Sequence, residues 1–284
     1  MDIDIISLFF SFYSAGSLLL AYLLIFLVAN FIYDKKVSYD VKQEIVEKDN
    51  GAVAISLAGY LVAISIIFIA GVIGPSKGVL QDLFIIIQYS LLGIILLYVA
   101  HIVNDKLILN QFNNVKELVN DQNTGTGVVQ AASYIASGLI IAGAIHGEGG
   151  GILTTITFFA LGQLVLVIFS KIYDLITSFN LHDEIEDDNF SVGIAFSGTL
   201  IALGIILSKA SAGNFISWQH NISVFVLNAV IAFILLPVFR VIIDKLIIVG
   251  NDLNIEIARD KNTGAGVLEF SATIGFAAVL FFVI

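Results

Sequence analysis

The sequence predicts an all-α membrane protein whose eight transmembrane helices form a tandem duplication of a four-helix unit, built as four parallel helical hairpins. Three observations lead there. Hydrophobic residues make up 58% of the chain against 13% charged, long stretches carry no charge at all, and the chain resembles itself at an offset of 139 residues. Soluble domains carry about 25% charged residues, so a soluble enzyme is excluded and much of the apolar surface must face lipid. With no Cys and two Pro, a disulfide scaffold, a thiolate metal site and a thiol nucleophile are also excluded. A net charge of -10 argues against nucleic acid as a partner, because phosphates would repel it.

The spans follow from the uncharged stretches: Ile5 to Tyr33, Gly51 to Ser76, Leu83 to Asn104, Gln122 to Gly147, Gly149 to Ser170, Asn189 to Ser208 and Ala210 to Phe239. The last, Asn262 to Ile284, is interrupted only by Glu269. Each supplies the roughly 20 apolar residues that cross a bilayer as a helix. A membrane β-barrel would instead alternate in polarity, which the run Leu18 to Leu27 does not. The opening Met-Asp-Ile-Asp has no basic residue and no small-residue cleavage site follows, so the first span is expected to be retained. Eleven of the 13 basic residues flank the loops after spans 1, 3, 5 and 7, leaving Lys77 and Lys209 on the other side. This bias puts those loops in the cytoplasm and both termini outside.

At the 139-residue offset, Asp105-Lys106-Leu107-Ile108 falls on Asp244-Lys245-Leu246-Ile247, and Asn123-Thr124-Gly125 falls on Asn262-Thr263-Gly264. The first four-span unit is therefore 1–147 and the second 148–284. A weaker echo at 73 residues pairs Glu44 to Asn50 with Glu117 to Asn123, which divides each unit into two hairpins. In every hairpin the first helix ends at an aspartate (Asp34, Asp105, Asp174 or Asp244) and a loop glutamate follows (Glu44, Glu117, Glu184 or Glu256). The return helix then begins at Asn50, Asn123, Asn189 or Asn262, read as N-caps whose side-chain oxygens accept from first-turn amides. Because each repeat has an even number of spans, its copies share one orientation, related by an axis along the membrane normal.

Polar residues one turn before each aspartate (Asn30, His101, Ser170 and Arg240) share its helix face. Asp34, His101, Asp105, Asp174, Arg240 and Asp244 are thus candidates for a cytoplasmic vestibule with an acidic ring. Local pairing at the lipid boundary, as of Arg240 with Asp244, is the competing reading. Glu269 is the one acid inside a span, about 10 Å beyond the Asn262 cap, and its repeat counterpart is Gln130. Together they form a candidate intramembrane polar site. Gly125 to Gly127 and Gly264 to Gly266 open return helices, where close packing or anion binding would use them. The stretch His146 to Gly151 reads as a flexible connector, and Tyr33 and Tyr173 as members of an interfacial aromatic belt. His101, His146, His182 and His220 lack metal-ligand spacing, so no metal, no cofactor and no catalytic residue is expected.

The acidic loops, the Asp-Asn and Asn-Thr-Gly caps and the glycine-bearing return helices resemble the bacterial inner-membrane YjfL-type family, a domain of unknown function (350), with two four-span units in tandem. The resemblance implies a plasma-membrane protein associated with envelope-stress components, and it transfers no catalytic residue. Two functions compete: an ion or small-solute channel or transporter using Glu269 and Gln130, and a scaffold whose acidic loops, chiefly Asp183 to Asp188, recruit a cytoplasmic protein. No enzymatic constellation stands out, and besides the lipid bilayer the expected partners are that protein and a second copy of the chain.

Overall fold

The computed structural model describes residues 5–74, 76–147 and 149–284, the side chains of residues 5–11 excepted. Met1 to Asp4, on which retention of the first span rests, and Glu148, where the second unit was expected to start, lie outside them. The described residues form helices and no strand. The eight long ones are α1 (Ile5–Lys36), α2 (Gly51–Ile73), α3 (Val79–Val103), α5 (Thr124–Ile145), α6 (Ile152–Ile176), α8 (Phe190–Ser211), α9 (Trp218–Ile242) and α10 (Thr263–Val283). All eight are long and apolar enough to cross a membrane. Two short helices, α4 (Asn114–Val119) and α7 (Leu181–Glu186), lie in loops, and π-helical turns occupy Gln43–Glu47, Asn104–Ile108, Ile243–Ile247 and Ile255–Arg259.

The helices pack as two rows. The return helices α2, α5, α8 and α10 follow one another in one row, with their most extensive contacts to the next member, and α1, α3, α6 and α9 form a second row against it. Burial follows this arrangement, since 72% and 78% of the apolar cores of α5 and α8 are buried but only 17% of that of α1. Leu19, Leu20, Leu23, Leu24, Leu27 and Phe31 of α1 are exposed, as lipid-facing side chains would be.

Small residues bring the return helices together. A methyl group on Gly127 would lie 2.6 Å from the Ala52 carbonyl oxygen, one on Gly193 2.7 Å from the Gly125 Cα, and one on Gly204 2.6 Å from the Ala136 Cα. No Cβ fits at such distances, so backbone approaches backbone along the whole row.

The loops stitch the hairpins in series. Each cap uses its side-chain oxygen on its own helix: Asn50 accepts from the Val53 amide, Asn123 from Thr126, Asn189 from Val192 and Asn262 from Ala265. The side-chain nitrogen donates to the loop glutamate of the same hairpin, namely Glu44, Glu117, Glu184 and Glu256. It also reaches the next hairpin: Asn50 donates to the Leu118 carbonyl at 2.8 Å, Asn123 to Ile185 at 2.6 Å and Asn189 to Ala258 at 3.0 Å. The residue before each cap, Asp49, Gln122, Asp188 or Lys261, is left-handed, with φ of 51°, 51°, 52° and 47°. This conformation turns the chain back so that the cap amide donates to the loop glutamate's own carbonyl. Burial opposes the charge on Glu44, yet hydrogen bonds from Lys48 and Asn50 hold its carboxyl below the usual carboxylate range.

Removing the stitch and the cap together is expected to cost more than removing a cap alone. Asn189→Ala should destabilise by about 2 kcal/mol or more, and Asn262→Ala, whose amide reaches no further hairpin, by about 1 kcal/mol. Thermal unfolding of the two variants in the same detergent checks the order.

Within the expected connector His146 to Gly151, His146 and Gly147 are anchored to the turn that follows α8. His146 accepts from the Gly213 amide at 2.9 Å, and Gly147 (φ 130°) presses its backbone against Gly213 in the turn between α8 and α9.

Candidate functional site

Two buried polar centres lie at equivalent positions of the repeat, toward the loop ends of the helices. The first gathers α1, α2, α3 and α5. Gln130, 2% exposed, accepts at Oε1 from the Ser56 hydroxyl at 2.8 Å and donates from Nε2 to Asp105 Oδ1 at 3.1 Å. Since Ser56 spends its hydrogen on Gln130, Tyr33 donates to Ser56 (3.2 Å), and Tyr39 donates to Tyr33 (3.4 Å). The hydrogen bonds thus run in one sense from Tyr39 to the Asp105 carboxylate, each polarising the next. Asn114 donates to the same oxygen at 3.2 Å, and His101 Nε2 lies 3.4 Å from the other. His101 stacks on Tyr134, whose ring meets Tyr60 edge-on at 5.4 Å. Outside the spans, burial pushes the Tyr39 hydroxyl well above the usual range, so it stays protonated as this chain of donors requires.

The second centre has the charge rearranged. At the position of Gln130 stands Glu269, 1% exposed, and at that of His101 stands Arg240. Arg240 Nε donates to Glu269 Oε1 at 2.9 Å, the Tyr173 hydroxyl donates to the same oxygen at 3.2 Å, and the guanidinium carbon lies 5.6 Å from the Tyr173 ring centre. Glu269 Oε2 and Arg240 Nη2 are buried and make no hydrogen bond among the described residues. They border a cavity of about 10 Å³ that Thr199 and Thr273 also line. A space of this size holds at most one water molecule.

A π-helical turn helps to build the first centre and has a counterpart beside the second. Asp105 and Asp244 sit at the second position of Asn104–Ile108 and Ile243–Ile247, where the helix widens by one residue per turn.

Several sequence expectations are displaced. The four terminal aspartates do not share an axis, because α1, α3, α6 and α9 succeed one another in a row, with α1 and α9 at its ends. Asp34 is half-buried beside Lys35 (3.8 Å), Asp174 accepts from the Leu181 amide (2.9 Å), and Asp244 accepts from Leu253 (2.7 Å) and Lys245 (2.7 Å). Only Asp105 joins a buried network. Arg240 pairs with Glu269 rather than with Asp244, because a buried carboxylate is the stronger demand on a buried guanidinium while Asp244 is already engaged. Tyr33 and Tyr173 are not belt residues: at 5% and 1% exposure they are turned inward and donate into the two centres. Their recurrence at one repeat position was the available signal. Ser56, Asn114 and Tyr134 carried no repeat signal.

Gly127 and Gly266 face the preceding return helix, against Ala52 and Ser191, as packing residues do, whereas Gly264 meets only its own cap. Among the described residues no group of three or more His, Asp or Glu has the arrangement of a metal site.

The two-row bundle and its paired polar centres define a multi-pass helical membrane protein made by internal duplication. The sequence profile described as "Domain of Unknown Function (DUF350)" matches residues 7–145 and again 149–284, and the chain belongs to that family as two tandem units. It is similar to a protein called "UPF0719 transmembrane protein" from Aquifex aeolicus (strain VF5), at 23% identity over 211 residues, which cover 73% of this chain and 76% of that one. No solved structure matches.

Proposed function

We propose that the protein is a non-enzymatic membrane scaffold that presents its acidic loops to a basic cytoplasmic protein. The observation that carries this reading is how the interior polar groups are spent. Arg240 and Tyr173 both bond Glu269, Ser56 links Tyr33 to Gln130 and so to Asp105, and the cavities at the two centres measure only about 10 and 20 Å³. Such an interior favours holding a shape over passing a solute. At the loops, Glu44, Asp121 and Asp260 are each paired with a nearby Lys or Arg, whereas exposed Asp183, Glu186, Asp187 and Asp188 have no ion-pair partner among the described residues. In this reading the loops face the cytoplasm of a bacterial inner membrane and both termini the periplasm, following the basic residues that flank them.

The test is affinity purification from native membranes at low and high salt. A salt-sensitive partner is expected with the wild type and should be lost when all four acids are replaced by Asn or Gln. Recovery of the same partner with the neutralised chain would overturn the reading.

A second reading, an ion or proton path through the Glu269 centre, is favoured by the two unpaired atoms at its cavity. Proteoliposomes check it: cation or proton flux above empty vesicles that Glu269→Gln abolishes would support it, and flux equal to empty vesicles would end it.

A further inference from the structure

We propose that the protein forms a twofold dimer in the membrane, in which α10 of one copy packs against α10 of a second copy through Gly264, Val267, Ser271, Gly275, Ala278 and Phe282. These residues recur every three or four positions, so they lie on one helix face, and all six are exposed. The face runs about 27 Å, most of the hydrocarbon thickness.

The internal repeat shows what such a face does when it is covered. Counterparts 139 residues earlier are Gly125, Val128, Ala132, Ala136, Leu139 and Gly143 of α5. That face receives α8: Gly193 and Gly204 of α8 press against Gly125 and Ala136, and Gly143 against Ser208. On α10, by contrast, a methyl on Gly275 would meet nothing within 4 Å, and one on Gly264 would meet only the Asn262 side chain. The interface used between successive return helices within the chain is therefore presented once more at its end without an occupant.

Two observations favour a protein occupant over lipid. Faces of this protein that are free to meet lipid carry large side chains, as α9 does with Leu227, Val230, Ile234 and Val241, whereas four of the six residues on α10 are Gly, Ser or Ala. Small residues gain little from lipid tails but allow close helix approach. Independently, Asn262 at the loop end of this face makes, among the described residues, no onward hydrogen bond like those of Asn50, Asn123 and Asn189.

The partner face is α10 rather than α2. On α2 the residues that would receive a preceding helix are partly covered by α1, where the Tyr22 hydroxyl bonds Ser65 at 2.9 Å and the Tyr22 ring meets Phe68 at 5.3 Å. Head-to-tail stacking is thus obstructed, while a twofold axis along the membrane normal keeps both chains in one orientation and closes the assembly.

The chain has no Cys, so single thiols report the contact directly. In native membranes, oxidation should cross-link Ser271→Cys into dimers but not Val230→Cys on α9 or Ala58→Cys on α2. Adding Gly275→Leu to Ser271→Cys should lower the cross-linked yield at least ten-fold, with an unchanged melting temperature because the site is open within each copy. Absence of the Ser271→Cys dimer, equal cross-linking at Val230→Cys, mixed cross-links between Ser271→Cys and Ala58→Cys chains, or an undiminished yield with Gly275→Leu would each overturn the twofold arrangement.

Discussion

Arg240→Ala is expected to destabilise the protein by about 3–5 kcal/mol, the usual cost of stripping one partner from a buried ion pair. The loss comes less from the attraction between Arg240 and Glu269 than from the carboxylate left behind. Glu269 is 1% exposed and would keep only the Tyr173 hydroxyl at 3.2 Å. Replacing both partners, as Arg240→Leu with Glu269→Leu, should recover most of the stability, since two apolar side chains need no compensation. Unfolding of the two variants by denaturing detergent, set against the wild type, checks this. A cost below about 1 kcal/mol for Arg240→Ala would mean that water reaches the pair. The chimera Arg240→His with Glu269→Gln, which copies the residues at His101 and Gln130, should fold better than Arg240→Ala because neither new group is permanently charged.

Gly127→Leu is expected to have an effect at least as large, through shape rather than charge. A Cβ alone would lie 2.6 Å from the Ala52 carbonyl oxygen, and the obstructing atoms are backbone, which cannot swing aside. Separating α2 from α5 would also pull Asn50 away from the Leu118 carbonyl. The variant should fail to accumulate in membranes, or lose more than about 3 kcal/mol, beyond the ordinary range for overpacking. Gly51→Leu is the control, because nothing lies within 4 Å of its side-chain position. Comparable accumulation of the two variants would show that the row is looser than described.

The sequence makes the spans and the duplication legible for a simple reason: charge cannot enter the hydrocarbon cheaply, so its spacing writes out the helices and loops. The match of the two units to one family bears out that reading. The order of the helices in space was not legible. Copies that share one orientation can close around an axis or continue in a line, and Asp34, Asp105, Asp174 and Asp244 look the same in sequence either way. Choosing between these arrangements depends on which side of each helix carries the small residues, and Gly59, Gly127, Gly193 and Gly198 acquire a direction only once their neighbours are known. Tyr33 and Tyr173 were hidden for a related reason. One residue from an aspartate at the lipid boundary, a tyrosine fits the belt by position, and only a rotation of about 100° along the helix turns it inward. Glu269 stood out because its depth alone makes it costly, whereas its partner Arg240 was obscured by the nearer Asp244.

The carry-over of three cap amides to the next hairpin has a bearing on how this protein comes apart. In a stack held by nearest neighbours, stability is a sum of local terms, and melting starts where a unit has one neighbour instead of two. Amide exchange should therefore be graded, slowest in α5 and α8 and faster toward α1 and α10, in place of a single cooperative loss. Such a stack sets no length for itself. A chain with one more hairpin, or one fewer, would obey the same local rules.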